Sequence, residues 1–209
     1  MCYGWRMLRL RAAAVVPALL VVALLGIGAD ARAQSAEVAA FAGWGFGGAL
    51  SSPASGQAVG MDAGLLVGAA VSAPISRTWR VEAVVSRQQS RLADQRSDAD
   101  IDLAIERYLA GIQEEKTRGR TRAFGTFLMG ATRVVPSGFE SETWFTVGVG
   151  LGVKTALSTH VGLRFEARGF YIPVAGGGAT VCSAGRCIFA FSGSGMFQGD
   201  LTGGLLVAF

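Results

Sequence analysis

The strongest regularity along the chain is an alternation of apolar and polar positions with a period of two. In Trp144–Lys154, Phe145, Val147, Val149, Leu151 and Val153 fall on one face; Thr146, Gly148, Gly150, Gly152 and Lys154 fall on the other. In Val161–Pro173, Val161, Leu163, Phe165, Ala167 and Tyr171 oppose Arg164, Glu166 and Arg168. In Gly195–Phe209, Phe197, Leu201, Leu205, Val207 and Phe209 oppose Gln198, Asp200 and Thr202. Charge on one side only of a two-residue period predicts strands, since a helix repeats every 3.6 residues.

The first half carries the same pattern less cleanly. Trp79–Gln89 sets Trp79, Val81, Ala83 and Val85 against Arg80, Glu82 and Ser86. Met61–Ile75 sets Leu65, Val67, Ala69, Val71 and Ile75 against Asp62, Gly64, Gly68 and Ser72. Glu37–Phe46 places Val38, Trp44 and Phe46 away from Glu37. Residues 121–135 divide their bulky groups, with Phe124, Leu128 and Val134 on one face and Phe127 and Met129 on the other. Asp102–Lys116 is ambiguous, because either parity puts Glu106 or Arg107 among the apolar side chains. A bulge or a strand running past the apolar zone would resolve this, and a helix over part of it is the competing reading.

Short turns near Ser76–Thr78, Thr117–Arg120 and Ala156–His160 alternate with longer polar or glycine-rich loops. The longer loops fall near Gly47–Val59, Ser90–Asp100, Pro136–Thr143 and Ala175–Ser194. The count is eight strands, with both ends of the array on the short-turn side.

Composition then decides what such strands are for. Of 209 residues, 51% are hydrophobic and 16% charged, against a usual charged share of about 25%. The net charge of +4 sits mainly in residues 1–33, where Arg6, Arg9, Arg11 and Arg32 face only Asp30. No basic stripe interleaved with aromatics remains in the rest, so no nucleic-acid partner is expected. Residues 1–33 read as a signal peptide: a basic start, the apolar run Ala12–Ile27, then Ala31-Arg32-Ala33 before Gln34. Residues 34–209 are then the mature domain, exported and expected in the bacterial outer membrane. No later run is long and apolar enough for a membrane helix. Helices and closed barrels are the two structures that satisfy every backbone polar group in hydrocarbon, which leaves the barrel. A soluble barrel of lipocalin type, with the apolar face inward, is the alternative packing.

The stretch VGVGLGVKTALSTHVGLRFEARGFYIPV and the closing DLTGGLLVAF resemble the last strands of small outer-membrane β-barrel domains of the OmpA/OmpX/OmpW type. The resemblance covers Ala36–Phe209 and is carried by its last third. It implies an eight-stranded antiparallel up-and-down transmembrane barrel surrounded by outer-membrane lipid. It also implies that Phe209, with the last strand, is the signal read by the barrel-assembly machinery. A monomer is expected. Nothing in the sequence looks like the peptidoglycan-binding domain that follows the barrel in some members of this group.

The expected inward faces collect Asp62, Arg80, Glu82, Lys154, Arg164, Glu166, Arg168 and Asp200, with Glu37 as a further candidate. An eight-stranded barrel is just wide enough for side chains to fill it, so these charges are expected to pair. A narrow conducting pore and an inward substrate site are the other two readings. Cys182 and Cys187 in VCSAGRC read as a disulfide in an exported chain, with half a metal site as the alternative. His160 is the single histidine and falls in a short turn. A lipid-modifying barrel would place its His and Ser within one strand near the outer leaflet, so no catalytic residue is expected. No cofactor or metal is expected either: Asp98, Asp100 and Asp102 lack the glycine and closing glutamate of a calcium loop, and no helix follows Gly176–Gly178 to make a phosphate cradle. Trp44, Phe46, Trp79, Phe145 and Tyr171 are candidates for interfacial aromatic girdles. The function expected is a non-enzymatic barrel acting structurally or through its outer loops. A small channel is the second reading and a lipid-modifying enzyme the third.

Overall fold

The computed structural model describes residues 36–51, 58–92, 101–138, 141–173, 180–183, 186–190 and 195–209. The signal-peptide reading and Asp98, Asp100 and Gly176–Gly178 lie outside these residues.

Twelve strands follow in chain order: β1 (Glu37–Gly47), β2 (Ala49–Ser51), β3 (Ala58–Gly60), β4 (Gly64–Pro74), β5 (Trp79–Leu92), β6 (Ile101–Arg118), β7 (Thr121–Pro136), β8 (Glu142–Ala156), β9 (Val161–Ile172), β10 (Thr180–Ser183), β11 (Arg186–Ala190) and β12 (Met196–Ala208). Eight of them close a barrel in the order β1-β12-β9-β8-β7-β6-β5-β4. The β1–β12 seam runs in unbroken antiparallel register from Glu37↔Ala208 to Gly47↔Gln198. Closure removes both free edges of the sheet. The four short strands form a second sheet, ordered β10-β11-β2-β3, from the two longest outer loops.

At one end the connections are tight and chemically alike. In both Ser76-Arg77-Thr78-Trp79 and Ser158-Thr159-His160-Val161 the serine Oγ accepts the N–H of the residue three positions on, at 3.2 and 3.1 Å. In both, that same residue's carbonyl accepts the serine N–H, at 3.1 and 2.9 Å. The third turn uses Gly119 at φ 63, a left-handed conformation that glycine enters without steric cost.

The alternation reads out as an inverted protein. Val149, Leu151, Leu201 and Phe197 stand 60, 73, 56 and 72% exposed on the outer wall, while Lys154, Arg168 and Asp200 are buried inside. This excludes the lipocalin packing, in which the charged face would meet water. Ambiguous β6 is a strand of 18 residues. It turns Leu103, Ile105, Arg107 and Leu109 inward, and Glu106 and Tyr108 outward. In β7, Phe124, Leu128 and Val134 face inward while Phe127 and Met129 face out.

Candidate functional site

The lumen is built in layers set by the strand registers. At the short-turn end, Glu37 is the first residue of β1, Arg80 and Arg122 lie near the starts of β5 and β7, and Glu115 and Lys154 lie near the ends of β6 and β8. Opposite strand directions therefore bring five charges from five strands to one level. Lys154 Nζ donates to Glu37 Oε2 at 2.7 Å and to Glu115 Oε1 at 2.5 Å. Arg122 Nη1 donates to the same two carboxylates at 2.6 and 3.1 Å. Arg80 lies 3.7 and 3.8 Å from them. Gln113, fully buried, bridges Lys154 and Glu115.

The next layer comes from β5 and β9. Arg164 is held between Glu82 and Glu166, with Glu166 Oε2 at 2.7 Å. Arg168 donates to that same oxygen at 2.5 Å, and Thr126 Oγ1 donates to the other carboxylate oxygen at 3.3 Å. Above it, Asp200 stands opposite Arg168 in the β12–β9 register and acts electrostatically on both Arg168 and Arg107. Its carboxylate oxygens accept no hydrogen bond among the described residues, so it offsets the two cations through space. Arg107 donates to Gln198 at 2.7 Å and to Gln88 at 3.2 Å. At the loop end the lining turns apolar: Met61, Leu103, Ile105, Val134, Ile172 and Met196 are all buried.

Aromatic rings space the cations. Arg107 lies over Phe170 at 4.6 Å, Arg168 over Phe41 at 4.8 Å and Arg164 over Phe124 at 4.7 Å, with Lys154 5.2 Å from that last ring. A cation on a desolvated ring gains about 2 kcal/mol. The room for these rings comes from inward glycines of β8. A Cβ at Gly148 would stand 2.8 Å from Phe170 Cδ1, and one at Gly152 2.4 Å from Phe124 Cζ. The G-x-G-x-G of β8 is thus the small half of a small-against-large filling.

Of the charges expected inside, Arg80, Glu82, Lys154, Arg164, Glu166, Arg168 and Asp200 are brought together with Glu37. Asp62 is not. It is exposed, ahead of the first residue of β4, with its N–H given to the Arg91 carbonyl and its own carbonyl taking Ser90 Oγ. The alternation predicts a strand from Met61, but β4 begins at Gly64, and ahead of it Met61 turns into the lumen while Asp62 turns out. Sequence reading missed Arg107, Glu115 and Arg122. Arg107 lies in the strand of ambiguous parity, Glu115 reads as turn charge with Glu114, Arg118 and Arg120, and Arg122 begins a stretch whose bulky groups are divided between both faces. The usable signal was parity: all three share a face with Leu109 or Phe124. His160 is exposed in its turn. Phe209 is 74% exposed, its N–H bonded to the Ala36 carbonyl at 3.0 Å. The backbone sets Cys182 opposite Cys187 in the β10–β11 hairpin, whose side chains lie outside the described residues. Trp44, Phe46, Trp79 and Phe145 are on the outer wall, and Tyr171 packs on Phe197 with ring centroids 4.8 Å apart.

No protein-family model and no curated protein matches the sequence. Solved structures do match. Neisserial surface protein A superposes with a TM-score of 0.56 at 18% identity, covering 85% of this chain and 100% of that one. Ail of Yersinia pestis, in complex with a heparin analogue, gives 0.49 at 11% identity over 83% of this chain and 99% of its own. The N-terminal barrel domain of Pseudomonas aeruginosa OprF gives 0.42 at 12%, over 82% and 96%. The first likeness spans the whole barrel, and the fold is that of the small eight-stranded outer-membrane barrels.

Proposed function

We propose that this chain works as a closed, non-enzymatic barrel of the outer membrane, a rigid stand that anchors and presents its outer loops. The observation that carries the reading is the filling of the lumen. Six cations (Arg80, Arg107, Arg122, Lys154, Arg164, Arg168) meet five carboxylates (Glu37, Glu82, Glu115, Glu166, Asp200) inside the barrel, beneath an apolar layer at the loop end. An ion crossing this interior would have to displace paired charges whose separation costs several kcal/mol each. The outer wall, by contrast, presents apolar side chains along the spanning part of the barrel strands, as lipid requires.

The second sheet, joining β10–β11 to β2–β3 through Ala190↔Ser51, supports the surface role. It ties the first and last outer loops into one body that can offer a shape to a partner. Catalysis has no such support, since the one imidazole lies in a short turn at the other end.

Conductance of the refolded protein in a planar bilayer tests the reading. The expected record is silent. Discrete openings that change amplitude in Glu166→Ala or Arg168→Ala would replace the stand with a channel. In parallel, phospholipid hydrolysis is expected at background level both for the wild type and for His160→Ala. Activity lost on that substitution would make the protein an enzyme.

A further inference from the structure

The outer wall changes character along one row of β5, β6 and β7. Below the row it is apolar: Val85, Ile112, Phe127 and Met129 are 40–50% exposed. Within it, Arg87 stands opposite Glu106 and Glu106 opposite Arg133, in the registers of two adjoining strand pairs. All three side chains are on the outside of the barrel. Arg87 Nη1 lies 3.3 Å from one Glu106 carboxylate oxygen and Arg133 Nη1 3.7 Å from the other. The Tyr108 hydroxyl donates to Glu106 at 3.3 Å, and Arg133 donates twice to Ser141 Oγ, at 3.2 and 2.9 Å.

Depth gives this row its meaning. From Trp79 to Arg87 β5 climbs eight positions. At about 3.3 Å per residue and a tilt near 40°, that is about 20 Å along the barrel axis, against an apolar band of about 25 Å. With Trp79 at the inner interface, the backbone at Arg87 stands about 5 Å below the outer boundary of that band. A long arginine side chain spans that gap and brings its guanidinium to the headgroups of the outer leaflet. Arg87 and Arg133 keep 59 and 46% of their side-chain surface exposed, whereas Glu106 keeps 17%. The carboxylate is tucked between two outward guanidinium groups. These offer ten N–H donors, and one carboxylate has about four lone-pair sites. The row has two cations and one anion, a surplus of +1.

We propose that Arg87 and Arg133, aligned by Glu106, bind the phosphate of an acylated, phosphorylated lipid headgroup in the outer leaflet. Guanidinium forks match phosphate oxygens in pairs. The ligand is a lipid and not a free anion because Val85, Tyr108 and Ala131 lie directly below the clamp, with Met129 one step further down, where the acyl chains of the same molecule would run. The inference rests on the outer-membrane reading, which sets the loop end toward the outer leaflet.

The test uses the full barrel folded in neutral detergent, with folding verified by its heat-dependent gel shift. Binding of diphosphorylated lipid A is titrated by native mass spectrometry, with phosphatidylglycerol and inorganic phosphate as comparison probes. Lipid A is expected to bind saturably and to resist displacement by inorganic phosphate. At about 1 kcal/mol per headgroup arginine, Arg87→Gln or Arg133→Gln should weaken it roughly fivefold and the double variant about thirtyfold. Arg118→Gln/Arg120→Gln, at the opposite end, should leave it unchanged. Equal binding by the Arg87/Arg133 double variant, equal loss in the Arg118/Arg120 control, or displacement by inorganic phosphate overturns the clamp. A folded barrel that ignores lipid A loses the clamp alone. Failure to form any heat-shifted species in detergent removes the outer-membrane reading along with it.

Discussion

Lys154 Nζ and Glu37 Oε2 are 2.7 Å apart although 117 residues separate them in sequence. The contact crosses the lumen from β8 to β1, strands that are not neighbours in the barrel. It therefore braces the wall from inside, independently of the strand ladders. Glu37 is 2% exposed and Lys154 1%, so neither charge has water to turn to.

Removing one end of this brace should be costly. Lys154→Met leaves Glu37 and Glu115 buried, with Arg122 and the more distant Arg80 to balance them. Breaking a buried pair from one side costs about 3–5 kcal/mol, and the remaining arginines place the expected loss near the lower figure. Adding Glu37→Gln should recover part of it, because the stranded charge is gone. Urea unfolding in detergent micelles reads both effects. A single variant as stable as the wild type would mean that the brace holds nothing.

The glycines of β8 and β9 offer a matched comparison. A methyl group at inward Gly152 would come within 2.4 Å of Phe124 Cζ and 2.5 Å of the Phe165 carbonyl oxygen, whereas at outward Gly169 it meets nothing within 4 Å. Phe124 has little room to retreat, with Arg164 and Lys154 both on its ring. Gly152→Ala should cost about 1–3 kcal/mol through overpacking. Gly169→Ala should be neutral or mildly stabilising, since alanine restricts the unfolded chain more than glycine does. Opposite signs in the same unfolding assay are the expected result, and equal effects would contradict a filled lumen.

The barrel was legible because a two-residue period survives wherever one face meets lipid. Phe145 through Val153 and Val161 through Tyr171 stated their orientation without help. The lumen was less legible, for a physical reason. A site assembled from Glu37, Glu115 and Lys154 depends on which strand ends share a level, and no local pattern encodes that. Charge near a turn also looks the same whether it points outward or under the barrel, as Glu114, half-buried on the outer face, and Glu115, buried in the lumen, show side by side. The ambiguity at Glu106 and Arg107 has a clear origin: Arg107 points into the lumen, and outward Glu106 lies at the edge of the apolar zone between Arg87 and Arg133.

Val149 gives a test of what surrounds the wall. It lies at the midpoint of β8, faces outward and is 60% exposed. On a protein surrounded by water, Val149→Arg would be nearly silent. At the middle of a bilayer it should cost about 2–4 kcal/mol. Folding into phospholipid vesicles, compared with folding into short-chain detergent, separates the two cases. The penalty is expected in the vesicles, and its absence there would remove lipid from the outer wall.

The Cys182–Cys187 hairpin allows a test that uses its own sequence. Residues directly opposite on antiparallel strands hold their Cβ atoms about 4.5–5.5 Å apart, and a disulfide needs about 3.5–4.5 Å. A small closure of the hairpin therefore suffices, and the register shift between Val181 and Cys182 falls where the backbone has slack to give. In an oxidising compartment the pair is expected to be bonded. Arg186 lies inside the ring, so trypsin can cut between the two cysteines. If the bond is present, the two resulting peptides stay joined until a reductant is added, and neither thiol takes up an alkylating reagent beforehand. The chain-entropy model assigns so small a ring about 2 kcal/mol while the chain is intact; after the cut, the covalent S–S bond is what joins the peptides. Separate peptides without reductant, each alkylated, would leave β10 and β11 held by their backbone pairing alone.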